Sequence, residues 1–226
     1  MLRRTAPDPG VVVLALDRPD VHNALDAALV SALHREFEEL GADVRAVVLA
    51  STTPGRFCAG ADLAVPDAER RQVSDDLYAL YERMLRLPVP VVAAVDGPAV
   101  GGGAQLALAA DVRIGSPRAR WKFAGPGHGL SVGPWAMPST VGRRAVEMVL
   151  SQRFVDADES VATGLLDRTA DDPLAAAVEL ARGVAHLDPD AVRRAKEHVV
   201  AGERLLERLA AERAANAAVF TGAVRR

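Results

Sequence analysis

Residues Val11-Val12-Val13-Leu14-Ala15-Leu16 form an unbroken apolar run that stops at the turn signal Asp17-Arg18-Pro19-Asp20. A run with no polar member reads as a strand buried in the interior rather than one with a wet face. Ala46-Val47-Val48-Leu49-Ala50 and Val91-Val92-Ala93-Ala94-Val95 repeat the pattern. Between them lie helical stripes: Leu25, Leu29, Leu33, Phe37 and Leu40, with Asn23 placed to cap the start and Gly41 to end it, then Val73, Leu77, Tyr81, Met84 and Leu87. A short helix over 104–110 precedes a fourth strand, Asp111-Val112-Arg113-Ile114-Gly115. This strand–helix–strand order predicts an α/β core with parallel pairing and crossover helices. After Pro138 the chain reads as helices, over 143–150, 158–164, 173–185, 189–200 and 202–220. The expected organisation is one domain over 1–226, with the core in 1–138 and a helical region in 139–226.

Charge and cysteine narrow the function. The chain has 27 basic and 30 acidic residues, a net charge of -3, so no global field draws it to nucleic acid or anionic lipid. Neither partner is expected. A single cysteine, Cys58, forms no internal disulfide and no multi-cysteine metal site. Pro7, Asp8 and Pro9 interrupt any apolar stretch after Arg3 and Arg4, so no signal peptide is read there and the cytoplasm is the expected compartment. The longest uncharged run, 97–110, is glycine-rich and shorter than the ~20 apolar residues a bilayer requires.

Several motifs are missing. Gly101-Gly102-Gly103-Ala104-Gln105-Leu106 does not complete G-x-G-x-x-G, and neither a phosphate loop, H-E-x-x-H nor G-x-S-x-G occurs. Two glycine-containing turns remain, each after an apolar run: Phe57-Cys58-Ala59-Gly60-Ala61-Asp62-Leu63 and Asp96-Gly97-Pro98-Ala99-Val100-Gly101-Gly102-Gly103. Glycine lets backbone approach a ligand closely, and two such turns can aim N–H groups at one oxyanion.

These segments, with Arg18-Pro19-Asp20-Val21-His22-Asn23-Ala24-Leu25 before them and Asp111-Val112-Arg113-Ile114 after, resemble in order and spacing the signature segments of the crotonase superfamily, the enoyl-CoA hydratase/isomerase family. Weaker similarity continues through 154–166 and 191–196. The resemblance implies a spiral of ββα units, a C-terminal helical region serving trimerisation, and trimers or dimers of trimers. It also implies an acyl-CoA or acyl-carrier thioester as substrate, with coenzyme A entering as part of the substrate and no separate cofactor or metal. By match to the motifs, the N–H groups of Ala61 and Gly102 would hold the thioester oxygen. Val21, His22, Ala24, Ala59, Gly60, Asp62, Leu63 and Gly101 would line the substrate path, and Arg18 or Arg56 would meet phosphates.

The sequence departs from the family at the acid/base positions. Hydratases of the family use two glutamates; the first position holds Gln105, which exchanges no proton near neutral pH, and the second falls on Gly125. His128, in Gly125-Pro126-Gly127-His128-Gly129, becomes the candidate acid/base because imidazole titrates near neutrality. Asp67 and Glu69 are further candidates. The segment 132–138 is shorter and bulkier than the family's, which makes Trp135, with Trp121 and Phe123, the expected apolar walls beside Gln105 and Gly125. Against the family the chain also ends about one helix early, near Phe220. Two readings stay open: an enzyme that stabilises an enolate without two-glutamate hydration, through isomerisation, decarboxylation or dehydration, or a non-catalytic acyl-CoA-binding or partner subunit.

Overall fold

The computed structural model describes residues 1–62, 64 and 66–219, of which Asp67 and Ala68 are described in backbone only. Leu63, the Asp67 side chain and the stretch from 220 onward, all of which carry expectations from the sequence, lie outside the described residues.

The main sheet contains β1 (Leu2–Asp8), β2 (Val11–Leu16), β3 (Ala46–Ser51), β4 (Val91–Val95), β6 (Val112–Gly115) and β8 (Arg168–Thr169), in that spatial order. β1 pairs antiparallel with β2, and every later pair is parallel. All six residues of β2 and all five of β4 are buried, which a parallel strand covered on both faces requires. Val12, Leu14 and Leu16 point into the larger core with α1 (Ala27–Glu38) and α2 (Asp67–Arg86). Val11, Val13 and Ala15 point to the opposite side, where α7 (Pro173–Ala185) lays Ala177 and Ala181 against them.

β5 (Pro98–Val100) follows β4 after two residues and pairs with β7 (Arg120–Lys122) in a separate small sheet. The order β4, β5, α3 (Gly102–Leu108) is a ββα unit. The remaining helices are α4 (Met137–Val141), α5 (Arg144–Ser151), α6 (Ala157–Thr163), α8 (Pro189–Gly202) and α9 (Leu205–Val219). Residues 139–226 are not purely helical, because β8 extends the main sheet beside β6.

The cap of α1 differs from the expectation. Asp26, not Asn23, accepts the N–H of Leu29 at 2.8 Å. Asn23 is fully buried in a left-handed conformation and ties three segments together. It accepts from the Arg18 N–H at 2.8 Å and donates to Ser51 Oγ at 2.8 Å and to the Phe57 carbonyl at 2.9 Å. An amide that can serve both donors and acceptors inside the fold is worth more here than as a cap on an exposed turn.

α8 is stapled to the sheet by Lys196. Its buried ammonium donates to Asp111 Oδ2 at 2.8 Å and to the carbonyls of Met84 at 2.9 Å and Val89 at 3.1 Å. Asp111 also accepts the Val91 N–H at 2.7 Å, so one ion pair fixes the entry to β4.

Candidate active site

The first turn leaves β3 and passes beside β5. Cys58 bridges to β5 on both sides of Ala99, the Cys58 N–H donating to Pro98 O and the Val100 N–H to Cys58 O, both at 3.0 Å. The Ala59 N–H donates to His22 O at 3.0 Å, Gly60 O accepts from Leu25 at 2.8 Å, and the Asp62 N–H donates to Leu25 O at 3.0 Å. Among the described residues, the Ala61 N–H has no backbone acceptor, and the residue is exposed.

The second turn delivers Gly102 as the first residue of α3, where an N–H has no partner inside the helix. Tyr81 donates its hydroxyl to Gly102 O at 2.9 Å from a fully buried position, fixing the peptide that follows Gly102. Gly60, at φ +93°, makes the close approach possible: a Cβ there would stand 2.6 Å from Val100 O and 3.3 Å from Gly102 N. A Cβ on Gly102 would in turn stand 3.5 Å from Ala61 N. The two turns therefore bring Ala61 N close to Gly102 at the start of α3.

They open on a cavity of about 180 Å³. Val73, Leu77, Leu130 and Val132 give it apolar walls, and Gln105, Tyr78 and Asn216 give it a polar face. Gly125 and His128 also line it. Gly125 leaves no room for a side chain, since a Cβ would lie 2.7 Å from both Leu130 O and Val132 Cβ. His128 is half-buried, and among the described residues nothing hydrogen-bonds its ring.

The polar face is part of a hydrogen-bonded network that sequence reasoning missed. Trp135 Nε1 donates to Gln105 Oε1 at 2.8 Å, and Gln105 lines the same cavity as Tyr78. Tyr78 donates to Glu212 Oε1 at 2.9 Å and accepts from Asn216 Nδ2 at 2.7 Å. Glu212 further accepts the N–H groups of Gly133 at 3.0 Å and Trp135 at 2.9 Å, while Asn216 Oδ1 accepts that of Ser131 at 2.9 Å. Alternate N–H groups of the 131–135 loop are thus all satisfied by α9 side chains. Burial pushes the Glu212 carboxyl up to about 7 against these three donors. Burial, and then Glu212, raises the Tyr78 hydroxyl well above its ordinary range. A sequence signal for α9 did exist: Leu205, Leu209, Glu212 and Asn216 follow one helical stripe, so two polar residues occupy core positions.

Other expected residues lie elsewhere. Trp135 backs Gln105, stacked on Tyr81 with ring centroids 6.4 Å apart, instead of facing the cavity. Trp121 and Phe123 are wholly buried in the core, and Leu130 and Val132 take the wall positions assigned to them. Gly101 and Ala59 line the cavity; Val21, His22 and Ala24 sit outside it beside the Ala59 segment. The Arg18 guanidinium is engaged by Asp26 at 2.9 Å, by Asp62 at 3.7 Å and by the Ala24 carbonyl, so it is not free for a phosphate. Asp62 Oδ1 accepts the Ala64 N–H at 3.0 Å and orders the turn. Arg56 is exposed and reaches Pro19 O at 3.5 Å. Glu69 is exposed on α2 and is not on the cavity wall. Burial raises the Cys58 thiol to about 12, which rules it out as a nucleophile. Among the described residues no cluster of His, Cys, Asp and Glu could hold a metal ion, and no helix is long and apolar enough to cross a membrane.

The chain is similar to known proteins in sequence and in fold. A probable enoyl-CoA hydratase of Mycobacterium tuberculosis is 38% identical over 191 residues, covering 82% of this chain and 77% of its own. The crystal structure of an enoyl-CoA hydratase from Bacillus anthracis superposes with a TM-score of 0.85 at 29% identity, covering 97% of this chain and 90% of that one. A monofunctional enoyl-CoA isomerase from M. smegmatis gives 0.78 at 31% identity, covering 90% and 93%. The family model for enoyl-CoA hydratase/isomerase matches residues 7–225. The chain, with its α/β core, its ββα unit and its paired turns, belongs to the enoyl-CoA hydratase/isomerase family.

Proposed function

We propose that the cavity binds the acyl end of a coenzyme A thioester and stabilises its enolate, with the thioester oxygen between the N–H groups of Ala61 and Gly102. The observation that carries this reading is the close approach of Ala61 N to Gly102 at the cavity mouth. Each donor of this kind contributes ~10²–10³ in rate. A reaction other than two-glutamate hydration is supported by Gln105, which accepts from Trp135, and by Gly125, where a Cβ would stand 2.7 Å from Leu130 O. Isomerisation, decarboxylation or dehydration through the same enolate fits the remaining groups.

A second reading, a non-catalytic acyl-CoA-binding subunit, is favoured by the same two positions, because neither carries a proton-transferring group. Calorimetry with a series of short acyl-CoA thioesters, followed by turnover assays, separates the two. Binding with turnover supports the enzyme, binding without turnover supports the subunit, and absence of binding removes both.

A further inference from the structure

Among the groups that line the cavity, a proton carrier must have its reacting atom fixed and its proton given somewhere to go. Asp62 is spent on Arg18 and the Ala64 N–H. His128 has no partner among the described residues to orient its ring. Tyr78 meets both conditions, since it reaches the cavity from α2 and its hydroxyl proton lies on Glu212 Oε1, 2.9 Å away. We propose that Tyr78 is the residue that exchanges a proton with the bound acyl chain, and that Glu212 is the positioning residue that takes up the Tyr78 hydroxyl proton. The inference rests on the thioester reading above.

The hydroxyl oxygen accepts from Asn216 Nδ2 at 2.7 Å, and besides Glu212 its proton has Ser131 O within 3.3 Å. Gln105, three residues beyond Gly102 on α3, lines the cavity together with Tyr78, so an acyl group whose carbonyl lies at Gly102 would extend past both. When an acyl chain takes that place, the C–H bond next to the thioester carbonyl breaks and its proton bonds to the Tyr78 oxygen. The electron pair moves onto the carbonyl oxygen at Ala61 and Gly102. At the same time the original Tyr78 O–H bond breaks and that proton passes to Glu212. No free phenolate forms, which agrees with the strong upward push on Tyr78. Reversal returns the proton to the same carbon, or to a carbon further along an unsaturated chain. The titratable groups coupled to Glu212 are Tyr78 and Tyr81 of α2; Arg213, next to it on α9, is paired with Asp75 at 2.7 Å.

The probe is butyryl-CoA in D2O, with deuterium entry at the carbon next to the carbonyl followed by NMR and binding measured separately by calorimetry. Wild type is expected to bind and exchange, faster as pH rises through neutrality. Tyr78→Phe is expected to bind within a few-fold of wild type and exchange about 10²-fold more slowly. Glu212→Gln is expected to lose the rise with pH, and it decides the matter if Tyr78→Phe fails to fold. A folded, binding Tyr78→Phe that exchanges normally overturns the proposal, as does Glu212→Gln with an unchanged pH profile. Wild type that binds without exchange overturns it while leaving the thioester reading intact; absence of binding by wild type overturns both.

Discussion

Tyr78 and Glu212, separated by 134 positions, meet through a 2.9 Å hydrogen bond that closes α9 over the cavity. Burial raises the Glu212 carboxyl from 4.5 to about 7, so the folded chain holds that proton more tightly than the unfolded one. The stabilisation linked to it is fully present below pH 4.5 and is lost as pH rises through about 7. Urea unfolding at pH 5 and pH 8 is expected to differ by up to roughly 3 kcal/mol through this group. Glu212→Gln should flatten that dependence; a slope equal to wild type would place the linkage elsewhere.

Gly60→Ala should push the two turns apart. Its Cβ would stand 2.6 Å from Val100 O in a backbone conformation that alanine resists. Loss of one donor geometry predicts about a 10²-fold fall in any enolate-dependent rate, read as deuterium exchange.

Gly125→Ala inserts a methyl against Leu130 O and Val132. Overpacking of this kind costs about 1–3 kcal/mol. A melting temperature equal to wild type would mean that the 125–132 loop yields freely.

Lys196→Met leaves half-buried Asp111 without its partner and two carbonyls without this donor. Breaking one side of a partly buried pair predicts a loss of about 2–3 kcal/mol in chemical denaturation. Replacing both, with Asp111→Asn, should cost less than the sum of the single changes.

Cys58 should resist iodoacetamide in the native state at pH 8. It is buried, its thiol is pushed up to about 12, and its Sγ donates to Asn23 O at 3.1 Å. Labelling is expected to follow unfolding in a denaturant series, and rapid native labelling would contradict the burial.

Local periodicity made much of this fold readable. β2, β3 and β4 are unbroken apolar runs, and α7 begins and ends where Pro173 and the apolar stripe place it. β1 escaped because it is an exposed edge strand whose polar residues carry no burial pattern. β5 and β7 escaped because each has three residues and exists only through pairing, Pro98 with Arg120 and Val100 with Lys122. At the site, the two glycine turns were legible from composition alone. The network beside Gln105 was not, since Trp135, Tyr78 and the pair Glu212 and Asn216 converge from three distant segments and no local pattern records which polar groups meet.

α7 covers the rear of the main sheet with small residues, and this imposes an order on synthesis. Until residue 185 has left the ribosome, Val11, Val13, Val48, Val92 and Ile114 form a bare apolar plane on an otherwise complete sheet. A nascent chain stalled between α6 and α7 is therefore the species that a holdase chaperone would grip, and the one most prone to aggregate.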